Sequence, residues 1–147
     1  MVTVRRAGEA DLDRMAVLLR ALFTIEADFA VDGAKQRRGL QLLLASERAC
    51  LLVAEAESGV IGMCSGQLVI STAEGGPALL VEDVVVVESF RGRGVGRLLM
   101  EALQNWAAAR NITRLQLLAD RNNAPALDFY RRLGWQHTDL ICLRTRR

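Results

Sequence analysis

Apolar positions change period several times along the chain, and each change marks an element. "VTVRR" alternates as a short opening strand does. From Asp11, a suitable N-cap, Leu12, Met15, Ala16, Leu19, Leu22 and Phe23 then fall on one helical stripe that ends before "ADFAVDG". Leu40, Leu43 and Leu44, with Lys35, Arg37 and Arg38 left outside, predict a second helix from Ala34 to about Ser46. "ACLLVAEAESGVIGMCSGQLVIST" predicts two strands joined at "ESG", and "AEGGPA" turns the chain into a third strand around Val81. Steps of three and four through Val95, Leu98, Leu99, Ala102, Leu103 and Trp106 predict a helix to about Arg110, with Asn111 as a left-handed cap. "TRLQLLAD" returns as a strand. "NNAPALDFYRRLG" follows as a helix, with Pro125 in its first turn and Gly134 just past its end, and residues 138–144 read as a last strand.

This order predicts an α/β (α+β) fold with a mixed sheet. Short connections make most neighbours antiparallel, and the strand-helix-strand crossover makes one pair parallel. No repeat or linker interrupts residues 1–147, which read as a single domain. Acids and bases nearly cancel, leaving a formal charge of +2, so the composition supplies no general attraction to nucleic acid. Cys50, Cys64 and Cys142 are scattered without metal-ligand spacing and read as small hydrophobes in a reducing compartment. The N-terminus lacks a signal-peptide core and the apolar runs stop well short of a membrane span, so the expectation is a cytoplasmic protein with no metal and no membrane partner.

The chemistry concentrates in "VEDVVVVESFRGRGVGRLLMEAL". A β-branched run leads into Arg91, Gly92, Arg93, Gly94, Val95, Gly96 and Arg97, and a helix begins there. The first turn of a helix leaves backbone N–H groups without partners, the aligned peptide dipoles add positive charge, and glycines let a ligand reach the backbone. Three arginines beside such a turn suit a diphosphate better than a single anion. The loop is not a Walker loop, because no GK[ST] follows, and Arg97 stands where GxGxxG needs its third glycine.

"RGRGVG" resembles the [Q/R]xxGx[G/A] signature of the GNAT N-acetyltransferase superfamily, on the same strand-loop-helix unit. "NNAPALDFY" is similar to that family's NxxAxxFY helix through Asn123, Ala126, Phe129 and Tyr130. The resemblance implies a mostly antiparallel sheet of six to seven strands flanked by four helices, with a splayed parallel pair. It implies acetyl-CoA as co-substrate. The loop from Arg91 to Arg97 would bind the pyrophosphate, and the backbone of Val85, Val86 and Val87 the pantetheine amides. Asn123 and Ala126 would lie against the coenzyme, with Tyr130 near the sulfur to protonate the departing thiolate. Dimerisation is common in the family, so a homodimer is an expected assembly.

Acetyl transfer to an amine needs a base, a polarised carbonyl and a proton for sulfur. Glu82 and Asp83 stand on the strand bordering the thioester. Regular alternation would turn them to opposite faces, and Glu82 is the favoured base. A strand N–H near Val86 would polarise the carbonyl. By resemblance the acceptor, a primary amine on a small molecule or peptide, enters beside "LFTIEADFAVDGAKQ", where Glu26, Asp28 and Asp32 would attract it and Phe23 and Phe29 would wall it. The expected function is direct N-acetyl transfer. The alternatives are a coenzyme A sensor that has lost its chemistry and a different nucleotide- or phosphate-handling transferase.

Overall fold

The opening segment shows how local chemistry sets the frame. In the computed structural model, which describes residues 1–26 and 30–147, β1 (Thr3–Arg6) is followed by a short 3-10 turn and by α1 (Leu12–Ile25). Asp11 does not cap α1. Its carboxylate accepts from the Gly8 N–H at 2.8 Å and pairs with Arg5, also at 2.8 Å, because a guanidinium is a stronger partner than a helix amide. α2 (Gly33–Ala45) is capped by Asp32, whose side chain accepts from the Lys35 N–H at 3.2 Å.

β2 (Ala49–Ala56), β3 (Gly59–Ser71) and β4 (Gly76–Val86) form the antiparallel meander the sequence predicts. α3 (Val95–Ala108) crosses over to β5 (Leu115–Leu117), and Asn111 takes the left-handed conformation at φ 59. The strands lie in the order β1-β2-β3-β4-β5, with β5 parallel to β4 from Leu79↔Leu115 to Val81↔Leu117.

Strand alternation sorts the two faces of the sheet. Met63 and Val85 pair across β3 and β4 and pack with Met15, Leu18 and Leu19 of α1 and Leu40 of α2. Their neighbours face the other way. Cys64 donates to the Leu99 carbonyl of α3, and a Cβ at Gly62 would stand 3.2 Å from Leu99. Removing side chains such as Met15 and Leu99 from water contributes about 2 kcal/mol apiece, which fixes both helix layers to the sheet.

Met1–Leu117 forms one compact unit and Leu118–Arg147 a second. Within the second, α4 (Ala124–Arg132) starts at Asn123, whose side-chain oxygen accepts from the Ala126 N–H at 3.2 Å. It ends at Gly134, which has φ 92, and the Trp135 N–H reaches back to the Tyr130 carbonyl at 3.0 Å.

The sheet of the described residues has five strands, not six or seven, alongside the four expected helices. The last predicted strand, residues 138–144, does not form. An alternating pattern makes a strand only with a ladder partner and a face to bury, and here Leu140, Ile141 and Leu143 are exposed.

Candidate active site

β4 leads directly to the glycine loop, and its two edges differ. On the β3 side the ladder continues to the end: Val85 pairs with Met63, and the Val87 N–H donates to the Ile61 carbonyl at 2.9 Å. On the β5 side the last pair is Val81↔Leu117. Beyond it, antiparallel alternation points the N–H and C=O of Val86 toward the open edge. The Val86 carbonyl already accepts from Arg91 Nε at 3.0 Å, and the Val87 carbonyl accepts from the Phe90 N–H. Of Val85, Val86 and Val87, the Val86 N–H is therefore the group best placed for a ligand carbonyl.

The loop itself is open. Gly92 and Gly94 have φ 74 and 81, and an added Cβ at either meets nothing within 4 Å. The first helical bond of α3 runs from the Leu98 N–H to the Gly94 carbonyl at 3.1 Å, so the N–H groups of Val95, Gly96 and Arg97 have no helical acceptor. Arg91 rests on the Val86 carbonyl, Arg93 lies 5.1 Å from the Phe90 ring centre, and Arg97 reaches Glu101 at 3.7 Å. All three are exposed contacts that a phosphate can outcompete. The turn fits a diphosphate by backbone geometry and by charge.

A β-bulge separates Glu82 from Val85. Ser65 pairs with Glu82 and Met63 with Val85, which leaves Asp83 and Val84 opposite Cys64 alone. Asp83 takes φ 55, a conformation that aspartate tolerates better than most side chains, and the Ser65 hydroxyl donates to the Glu82 carbonyl at 3.1 Å. The bulge cancels the strict alternation that would set the two acids on opposite faces. Glu82 is exposed, whereas Asp83 is half-buried. Burial pushes the Asp83 carboxyl up to about 7, and the neighbouring charges of Glu82 and Glu26 push in the same direction. Of the two acids, Asp83 is the one whose surroundings favour holding a proton near neutral pH. Spacing alone could not reveal this; an Asp next to a β-branched run was the only local hint of a left-handed residue.

Among the residues expected beside the acceptor, Glu26 closes α1 with its N–H on the Leu22 carbonyl, and Phe23 is half-buried on the same helix. Asp32 is used as the α2 cap. Asp28 and Phe29 lie outside the described residues. Burial pushes the thiols of Cys50 and Cys64 up, and both sit in the apolar core.

In the second unit, Asn123 uses its side-chain oxygen to cap α4. Tyr130 stands 5.1 Å from the Phe129 ring and 5.8 Å from that of Trp135. The edge contacts fix the plane of its phenol. His137, the single histidine, is exposed beyond this cluster.

A strand that loses its parallel neighbour and runs into an amide-lined helix start defines a protein built around a phosphorylated ligand. Residues 15–135 match the Acetyltransferase (GNAT) family, and the chain belongs to it. The chain is 35% identical over 77 residues to a streptothricin acetyltransferase of Streptomyces lavendulae, a match covering 52% of this chain and 41% of that relative's length. Two solved structures share the fold. One is a predicted acetyltransferase with acetyl-CoA from Clostridium acetobutylicum, with TM-score 0.80 and 22% identity over 99% of this chain and 96% of that one. The other is an aminoglycoside N-acetyltransferase, AAC(6')-Iy, in complex with CoA, with TM-score 0.86 and 19% identity over 100% and 95%. No helix among the described residues is long and apolar enough to cross a membrane.

Proposed function

We propose that this chain is an N-acetyltransferase that moves the acetyl group of acetyl-CoA directly to the primary amine of a small molecule in the cytoplasm. The observation that carries the reading is the conjunction on β4 of an open edge at Val86, unpartnered amides at the start of α3, and a half-buried acid two residues before Val85. The names of the relatives point the same way, and membership of the family supplies the co-substrate.

The amides of Val95, Gly96 and Arg97 take the pyrophosphate, and Arg91, Arg93 and Arg97 swing from their resting contacts to its oxygens. Acetyl-CoA when bound supplies an activated acyl group. The Val86 N–H donates to the carbonyl oxygen where negative charge develops. Asp83, ionised above pH 7, takes the proton from the ammonium group of the acceptor and leaves the nitrogen lone pair free to attack. A C–N bond forms as the C–S bond breaks; by resemblance to the family Tyr130 would give its phenolic proton to the departing sulfur, and the second proton of the acylated nitrogen would return to the phenolate through water. Resemblance to the family gives Asn123 and Ala126 a role in coenzyme binding.

Thiol release on mixing the protein with acetyl-CoA and an amine tests the reading. Acetyl-CoA binding with no thiol released by any amine would leave only a sensor of the coenzyme.

A further inference from the structure

Ser65 carries a hydroxyl into an apolar interior. Its side chain is 1% exposed, and its cross-strand partner on β2 is Leu51, which packs in the cluster of Met63, Val85 and the α1 side chains. A buried hydroxyl costs free energy unless it is hydrogen-bonded, and alanine would fill the place without that cost. The hydroxyl meets its need on β4, where it donates to the Glu82 carbonyl at 3.1 Å.

That carbonyl stands where β4 departs from regular geometry. Glu82 is the last residue in register with β3 before the bulge, and Val85 is the first after it. Between them Asp83 has φ 55. Asn111, the other non-glycine residue with positive φ among the described residues, follows a helix end, where that conformation is ordinary. Inside a strand it is strained, and it persists only where the surroundings fix it. Turning the peptide between Glu82 and Asp83 changes φ of Asp83, so a bond to that peptide's oxygen restrains the Asp83 conformation directly. The strength of one neutral hydrogen bond and the cost of a left-handed aspartate are of the same order, so a single bond can decide between conformations.

The charges acting on Asp83 are those of Glu82 beside it and Glu26 at the end of α1. Across the bulge, the Cys64 thiol is turned to α3 and donates to the Leu99 carbonyl. Ser65 ties the bulge down without adding charge to it.

We propose that Ser65 is a positioning residue for acetyl transfer: through the Glu82 carbonyl, its hydroxyl holds the bulge in the form that presents the Asp83 carboxylate to the acceptor amine. This role rests on the reading above in which Asp83 takes the proton of the acceptor.

The test follows two signals in the wild type, Ser65→Ala and Ser65→Thr. One is the ¹³C shift of the Asp83 carboxyl against pH, and the other is thiol release from acetyl-CoA with sisomicin, spermidine and 2-phenylethylamine across pH 6–9. In Ser65→Ala the carboxyl is released toward water, so its midpoint and the acidic limb of kcat/KM should fall by about one pH unit from about 7. Its kcat should fall roughly tenfold with KM for acetyl-CoA unchanged. Ser65→Thr keeps the hydroxyl and should restore the midpoint even where its added methyl lowers Tm. Val53→Ala opens a cavity in the same core away from the bulge; it should lower Tm and leave midpoint and kcat in place.

A wild-type midpoint and kcat in Ser65→Ala overturn the proposal. So does a midpoint that moves as far in Val53→Ala as in Ser65→Ala, because general loosening would then explain it. If Asp83→Asn removes the acidic limb while Ser65→Ala leaves it in place, the role of Ser65 falls alone. Wild-type turnover in Asp83→Asn overturns the role of Ser65 and that of Asp83 together. No thiol release with any of the three amines, while calorimetry records acetyl-CoA bound, overturns both along with acetyl transfer itself.

Discussion

Replacing Asp83 with Asn separates what the acid does for the reaction from what it does to the fold. The carboxyl sits at about 7 against an ordinary 3.8, because burial disfavours its charge. At about 1.4 kcal/mol per pH unit, that gap bounds the cost of the ionised side chain at ~4 kcal/mol. Partial exposure to water lowers the working figure to ~1–2 kcal/mol. The sign follows from proton binding. The folded chain holds this proton more tightly than the unfolded one, so the cost is absent below about pH 4, grows up to about 7 and is complete above it.

Asparagine carries no charge and accepts a positive φ at least as readily as aspartate. Asp83→Asn should therefore raise Tm at pH 8 by roughly 3–6 °C, with the gain shrinking toward pH 4. The same change should lower kcat roughly 10²- to 10³-fold and abolish the acidic limb of kcat/KM near pH 7. Thermal unfolding at pH 5 and pH 8, together with thiol-release rates across pH 6–9, reads both effects. A variant less stable at pH 8, or one with wild-type turnover and pH profile, would refute the assignment.

Gly94→Asp puts a carboxylate where the phosphate binds; acetyl-CoA affinity measured by calorimetry should fall roughly tenfold or more, while the left-handed backbone at φ 81 lowers Tm by a few degrees that the helix dipole offsets only in part. Tyr130→Phe should lower kcat roughly 10- to 100-fold with little change in acetyl-CoA affinity, and equal losses in both would show a packing role instead. Asp11→Asn removes the ion pair with Arg5 and leaves one acceptor oxygen where two serve Arg5 and Gly8, and unfolding in urea should show a loss of ~1–2 kcal/mol at pH 7. Arg5 holds the Asp11 carboxyl below its ordinary 3.8, so this stability is present above that pH and disappears as pH falls through the lower folded value. The wild type and the variant should converge in acid.

Most of the first unit was readable from periodicity because its side chains do what their spacing demands: the α1 stripe through Met15 and Leu19 is the buried face, and the run up to Val86 is a strand. The loop was readable because glycine at φ 74 and 81 beside arginines has few other uses. The bulge was not. It is accompanied by a bond from Ser65, seventeen residues upstream of the Glu82 carbonyl it reaches, and no local pattern announces such a contact. The same bulge decides which acid is shielded, Asp83 rather than Glu82, and that difference has a tertiary cause. Residues 138–144 failed differently, since alternation states a preference for strand that only a partner can realise. Asp11 and Asp32 have near-equal capping propensity, yet only Asp32 caps, because Arg5 competes for Asp11 alone.

The account rests on amides at the start of α3 that hold two phosphoryl groups. Titrating ¹⁵N-labelled protein with acetyl-CoA and following the amide resonances of Gly92, Gly94, Val95, Gly96 and Arg97 tests this most directly. Large, saturable shifts at these five and at Val86 are predicted. Saturable binding that leaves them unmoved would contradict the account.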